Sequence, residues 1–259
     1  MKRRDFIKGS LVLGGSVLLP SSKAFANPTI ISSLPYGIYT PGTYILNQNH
    51  SANFAEWEAI SVNADDVTID LQGYTIQNTA GTGTRAVGVF TSNGNIKNFT
   101  ITNGTLKNFH TALYLSGSCD GANGYLIDNI TADNCYAAGL MLSGTGHVVR
   151  DCSITSSTRS TLINLGSCSG TLGIGLAKSR GCLIQNTNID LSDSGNGDGT
   201  VCMFFSQATT DSVILNCSFS NADAGIVFDQ RNATGDYRGN TSNSVTVPYT
   251  GGNDLGSNS

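Results

Sequence analysis

The segment FDQRNATGDYRGN, residues 228–240, gathers Asp229, Arg231, Asp236 and Arg238 into one short stretch. Carboxylates beside guanidiniums can relay protons if the fold turns them toward one point. Charges at the end of a repetitive sheet serve equally well as a cap that blunts open strand edges, so both roles stay open. A second cluster, DLSDSGNGDG at 190–199, sets Asp190, Asp193 and Asp198 in a Gly-rich loop with Asn196. Oxygen donors on a flexible loop suit calcium, the one cofactor this chain suggests, although their order departs from the D-x-[DN]-x-[DN]-G loop. The alternative is a solvated turn with no metal. His50, His110 and His147 are scattered without ligand spacing. Glu56 and Glu58 flank the only tryptophan, Trp57, and read as part of an N-terminal cap rather than an acid–base pair.

Whether any of these groups converge depends on the elements that carry them, and those repeat. AISVN at 59, GVFTS at 88, ALYLS at 112, GLMLS at 139, GIGLA at 173, CMFFS at 202 and GIVFD at 225 are versions of one strand. Aligning Ile60, Val89, Leu113, Leu140, Ile174, Met203 and Ile226 gives spacings of 29, 24, 27, 34, 29 and 23 residues. Constant strands with variable spacing mean fixed rungs and variable loops. A second strand follows each of the first six: VTIDLQGYTIQN, NIKNFTITNG, YLIDNITADN, VVRDCSITSS, CLIQNTNIDL and SVILNCSFSN. The period of two, the Val, Ile, Thr and Phe content and the Gly/Ser/Asn linkers exclude helices. The same two strands in the same order, coil after coil, predict an all-β parallel solenoid of about seven coils with terminal caps. Like residues then stack in columns about 4.8 Å apart.

The inward columns expected beside the first are Phe99, Ile130, Cys152, Thr187 and Cys217, and Ile101, Ala132, Ile154, Ile189 and Phe219. Asn98, Asn129, Asp151, Asn186 and Asn216 fall two residues after an apolar position in each second strand. Asn tolerates the left-handed backbone of a sharp bend. These five are therefore expected as a corner ladder whose side chains hydrogen-bond along the stack. Outward charges on the same strand read Asp70, Lys97, Asp128 and Arg150, then Gln185, Leu215 and Arg238, an expected salt-bridge ladder of structural value.

The alternating strands, the Asn column and VTIDLQGYTI resemble the right-handed parallel β-helix of the pectin-lyase-like superfamily. LPYGIYTPGTYIL at 34–46 and GDYRGNTSNSVTVPYTGG at 235–252 resemble the ends of secreted β-helix-repeat proteins. The resemblance spans residues 30–250 and implies a fold rather than a function, because the superfamily holds lyases, hydrolases, epimerases and non-catalytic proteins. Its polysaccharide enzymes carry carboxylates with Arg or Lys on the outer face of the first-strand sheet. Here that face reads Ser61, Phe90, Tyr114, Met141, Gly175, Phe204 and Val227, then Asn63, Ser92, Ser116, Ser143, Ala177, Ser206 and Asp229. Only Asp229 ionises, so no catalytic residue carries over. Phe90, Tyr114, Met141 and Phe204 instead form an apolar ribbon beside a row of serines, which suits the C–H faces and hydroxyl edges of a sugar. A covering loop, at 155–172 or 190–201, or a second chain are the other occupants to weigh.

The chain opens MKRRDFIKGSLVLGGSVLLPSSKAFA. Arg3-Arg4-Asp5-Phe6-Ile7-Lys8 resembles a twin-arginine export signal, and Ala24-Phe25-Ala26 has the form of a cleavage site. The apolar run from Leu11 to Leu19 is too short to span a bilayer. The expected division is a signal peptide at 1–26, a cap at 27–58, the solenoid at 59–245, and a C-terminal cap and disordered tail at 246–259, in a periplasmic or secreted protein. Without the leader, 9 of the 14 basic and 17 of the 18 acidic residues remain, a charge of −8. That charge excludes a nucleic-acid partner. Of the seven cysteines, Cys152 and Cys217 share a column two coils apart, about 9.6 Å, too far to bridge. Cys119, Cys135, Cys168, Cys182 and Cys202 are placed in or near loops, where a bridge is feasible. The reading is an exported, non-catalytic protein of the cell exterior with a polysaccharide partner or a structural role. A polysaccharide lyase or glycoside hydrolase with a loop-built or last-coil site is the alternative, and self-association a further prospect.

Overall fold

The computed structural model describes residues 27–91, 95–116, 124–156, 171–192, 199–206, 208–229 and 231–259. Among them every regular element is a strand and every pairing is parallel, stacked as a β-solenoid of about seven turns. Among the described residues no helix is long and apolar enough to cross a membrane. The leader at 1–26, Cys119 and Cys168 lie outside the described residues.

Each turn lays down three strands. The first sheet pairs Ile60 with Val89, Val89 with Leu113, Leu113 with Leu140, Leu140 with Ile174, Ile174 with Met203, and Met203 with Ile226, as the spacing predicts. Tyr36 and Tyr249 add a rung at either end. The strand expected second is in fact two. Val67–Asp70 and Thr75–Asn78, for example, lie in separate sheets with a corner between them. The segment expected as an N-terminal cap supplies Tyr36–Ile38, Gly42–Leu46 and His50–Ala52, one rung of each sheet. At the other end, 246–250 completes the strand Thr241–Thr250. Residues 251–259 continue along the coil rather than hanging free, with Asn253 and Asp254 paired to Asp236 and Tyr237.

The interior is apolar because period-two strands turn alternate residues inward from all three sheets, leaving Ile69, Leu113, Ile127, Ile174, Ile184 and Ile189 fully buried. One further column decides how tightly the coil closes. The residue before each inward residue of the first sheet is Ala59, Gly88, Ala112, Gly139, Gly173, Cys202 or Gly225. A Cβ at Gly139 would lie 2.5 Å from Ile154 Cγ2 and 2.8 Å from the carbonyl oxygen of Gly173, the next rung. At Gly173 it would lie 2.5 Å from both Ile189 Cγ2 and the Cys202 carbonyl oxygen. The third sheet thus packs directly against the first-sheet backbone, and only small residues fit between them.

From the strand Val67–Asp70 onward the corner between second and third strands is left-handed: Gln72, Asn103, Asn129, Asp151, Asn186 and Asn216 have φ between 49° and 57°, and Gly239 closes the column at 66°. Asn186 Nδ2 donates to Asp151 Oδ1 at 3.1 Å, as the ladder requires. Asn98 is a correction. The register sets Ile127 against Ile101 and Ile130 against Gly104, so Asn129 faces Asn103, and its Nδ2 donates to Asn103 Oδ1 at 3.1 Å. Asn98 belongs to the preceding corner, where φ is 54° and it donates to Asp66 Oδ1 at 2.8 Å.

That five-residue slip moves its neighbours. Ile101 joins Ile127, while Leu106 takes its expected place beside Ala132. Phe99 lies edge-on to Tyr125, which stacks on His147 at 4.4 Å. Lys97 leaves the charge ladder, and Thr102 stands between Asp70 and Asp128. What survives there is one forked pair, Arg150 to Asp128 at 2.9 Å through both oxygens. A residue at 104 points against Leu71 Cβ and the Tyr74 carbonyl, and only glycine has room. The ladder side chains at Asn129, Asp151, Asn186 and Asn216 face solvent, so they work through the backbone turn more than through buried hydrogen bonds.

Candidate functional site

The charged residues do not assemble. Asp229 receives Arg231 Nε at 3.1 Å, Nη2 at 2.8 Å and the Arg231 backbone N–H at 3.0 Å, so its carboxylate is occupied by its own loop. Asp236 and Arg238 sit on the strand Gly235–Arg238, in the second sheet, where Asp236 accepts from Asn253 Nδ2 at 3.0 Å. Asp190 accepts from Ser192 N–H at 3.1 Å and from Asn221 Nδ2 at 2.9 Å, which makes it a turn residue. Asp193 and Asp198 lie outside the described residues. Among those that are described, no three His, Cys, Asp or Glu side chains group as metal ligands.

Nor do the buried nucleophiles form a reactive centre. Cys135, Cys152, Cys182, Cys202 and Cys217 are all free and buried; Cys135 and Cys182 lie between strands and Cys202 near the start of Val201–Phe205, but none of the three forms a bridge. Burial pushes the thiols of Cys135, Cys202 and Cys217 up to about 12 and those of Cys152 and Cys182 to about 11. Thiols held that far above neutrality supply no thiolate. His147 is fully buried, donates from Nε2 to the Ser143 carbonyl at 3.0 Å and accepts the Tyr125 N–H on Nδ1 at 3.3 Å. Burial pulls its pKa down to about 4, which keeps it neutral.

What the fold does assemble is the outer face of the first sheet. Phe90 and Tyr114 are adjacent rungs, their rings 5.7 Å apart and tilted by 32°, and Tyr114 is 41% exposed. Met141 follows Tyr114, and its Sδ lies where a side chain at Gly175 would stand, 2.6 Å from the position of a Cβ. Phe204 and Val227 complete the row, half-buried with Met141 against Ala138, Leu172 and Val201. A hollow of about 170 Å³ opens where Gly175 leaves the row low, lined by Met141, Leu172, Ala177, Phe204 and Ser206. A smaller one, about 40 Å³, lies between Tyr114 and Met141 with Ser116 and Ser143 at its edge. From Ser61 to Phe204 the row carries no charge, and beside it Asn63, Ser116, Ser143 and Ser206 offer hydroxyls and an amide. Ser92 lies outside the described residues, as do 157–170 and 193–198 of the two segments weighed as covers.

Sequence reasoning stopped this row at Ser61, and the structure carries it further. Gly37 pairs with Ser61, and the Tyr39 ring folds back over Gly37, its Cε2 2.7 Å from where a Cβ would be. Trp57 stands beside it; both residues are 73% exposed. Together with Pro35, Tyr36, Glu58 and Ser61 they line a hollow of about 260 Å³. The segment bearing Trp57 is fixed at its start by fully buried Asn78, which accepts the Phe54 N–H and donates to the Phe54 carbonyl, both at 2.9 Å. It is fixed at its end by Ala59, hydrogen-bonded to rungs on both sides. A lone tryptophan next to the first repeat was the available signal, but the backfolded Tyr39 left none. Comparison with known protein families, curated proteins and solved structures finds no match for this chain.

Proposed function

We propose that this is an exported, non-catalytic protein of the cell exterior that holds a neutral polysaccharide on the outer face of its first sheet. The observation that carries the reading is the uncharged row of Phe90, Tyr114, Met141 and Phe204, interrupted by hollows and edged by serines. Pyranose rings present flat C–H faces and hydroxyl rims, and a surface that binds them offers apolar planes flanked by hydrogen-bonding groups. Export rests on the twin-arginine-like leader, and the right-handed coil on the resemblance to the pectin-lyase-like superfamily. A lyase or hydrolase would need free carboxylates or a basic group on this face. Asp229, its one carboxylate beyond Ser206, is taken up by Arg231.

The test incubates the protein, residues 27–259, with immobilised neutral and acidic polysaccharides and reads retained protein, new reducing ends and unsaturated products. Retention on a neutral polysaccharide without product supports the reading. Product that accumulates with time, and is lost on Asp229→Asn, replaces it with the enzyme. Neither retention nor product leaves the row as a structural or self-association surface.

A further inference from the structure

We infer that the hollow between Tyr39 and Trp57 is the outermost sugar subsite of this face, taking one neutral hexopyranose with its ring against Trp57 and its hydroxyls on Glu58. The inference rests on the reading above and extends the same row by two rungs. Three observations support it. The hollow is collinear with the row, because Gly37, Ser61, Phe90 and Tyr114 are successive partners in the first sheet. Its floor is low at the small Ser61, and Gly37 leaves room for the Tyr39 ring to fold over it, while its walls, Tyr39 and Trp57, are the large aromatic side chains most exposed among the described residues. Glu58 lines it half-buried and has no hydrogen-bond or ion-pair partner among the described residues. A carboxylate accepts only, and a pair of vicinal hydroxyls supplies the two donors it lacks.

The pitch of the row fits a chain of such rings. Successive coils rise by about 4.8 Å, close to the roughly 5 Å per ring of an extended β-linked pyranose chain, so one sugar falls on each rung. Five rungs run from Phe90 to Phe204, and Gly37 and Ser61 make seven. An organic cation drawn to the same rings and to Glu58 would be the competing occupant. The hydroxyl-lined, uncharged continuation of the hollow favours the sugar.

Trp57 is the only tryptophan of the chain, so its fluorescence reports this hollow alone. The probes are β-1,4-linked gluco- and manno-oligosaccharides and α-1,4-linked gluco-oligosaccharides of two to eight rings, with tetramethylammonium as the cation control. For the intact protein, affinity for one series should rise up to about seven rings, with a blue shift of Trp57 emission and weaker acrylamide quenching. Trp57→Ala, at an exposed position, should lower affinity for the eight-ring member about tenfold and end the rise at about six rings. Glu58→Gln should weaken the same member while Tyr114→Ala weakens every length. If Trp57→Ala and Glu58→Gln bind all lengths as the intact protein does, the subsite is refuted and the row stands. If no series binds, the reading of the row falls and the subsite with it. Emission that responds to tetramethylammonium but to no sugar also overturns the inference.

Discussion

Gly173→Ala adds a single methyl group where the third sheet packs on the backbone of the first. The new carbon would start 2.5 Å from the Cys202 carbonyl oxygen, 2.5 Å from Ile189 Cγ2 and 3.1 Å from Ile189 Cδ1. Carbon atoms rest about 3.5–4.0 Å apart, so the neighbours must retreat by roughly 1 Å. They have little room, since Cys202 is held in the sheet ladder one rung away and Ile189 is fully buried. Overpacking of this kind costs about 1–3 kcal/mol, offset by the roughly 0.4–1 kcal/mol that Ala gains by restricting the unfolded chain. The net loss is about 1–2 kcal/mol, a fall in Tm of roughly 2–8 °C for a chain of this size. Gly83→Ala is the control, because a Cβ there meets nothing within 4 Å and its φ lies outside the left-handed region. It should melt at or slightly above the unaltered Tm. The assay is thermal unfolding by far-UV circular dichroism on all three proteins. A Gly173→Ala protein as stable as the Gly83→Ala protein would refute the close packing of third sheet on first.

Three further outcomes follow from the corners and the buried groups. Asn186→Leu should cost about 1–2 kcal/mol, the penalty of a left-handed backbone without Asn or Gly, while Asn186→Gly stays near neutral; equal stability of the two in chemical denaturation would contradict the corner. With Cys119 and Cys168 replaced by Ser, a thiol reagent at neutral pH should find no reactive cysteine in the folded protein and five after unfolding; a fast-reacting thiol, or fewer than five, would count against the buried free set. His147 has a folded pKa of about 4 against an ordinary 6.5, so its stabilising contribution is complete above pH 6.5 and is lost as the pH falls toward 4. The loss should approach about 3 kcal/mol, and His147→Phe should be less stable at neutral pH but flatter between pH 6.5 and 4; parallel pH profiles would refute it.

The solenoid was legible because one column, Ile60 to Ile226, keeps its residue type while loop lengths vary. The small residues in front of it, Gly88 through Gly225, carried the same register and a packing reason as well. The slip at 95–104 arose because Ile96-Lys97-Asn98 and Ile101-Thr102-Asn103 both fit the pattern of an inward residue two before a left-handed Asn. Both Asn residues do bend the chain, at different corners. Only the crowding of Leu71 and Tyr74 around Gly104 separates the alternatives, and that is a contact between coils rather than a local preference. The row at Phe90, Tyr114, Met141 and Phe204 could be read from alternation alone. Its extension could not, because Tyr39 enters the row by folding over Gly37 instead of occupying a rung of its own. The cysteines misled for a related reason. Cys135, Cys182 and Cys202 stand beside turns in the chain, yet the coil turns their side chains inward.

The central claim is that rings on the first-sheet face, and not charges, hold a neutral glycan. Its most direct measurement is the affinity of Tyr114→Ala and Phe204→Ala for the polysaccharide retained by the intact protein, by titration calorimetry between about 0.05 and 0.5 M salt. Each substitution removes one ring and should weaken binding by about 1–3 kcal/mol, with an unchanged circular dichroism spectrum and little response to salt. Unaltered affinity in both variants, or binding that collapses as salt rises, would contradict the account.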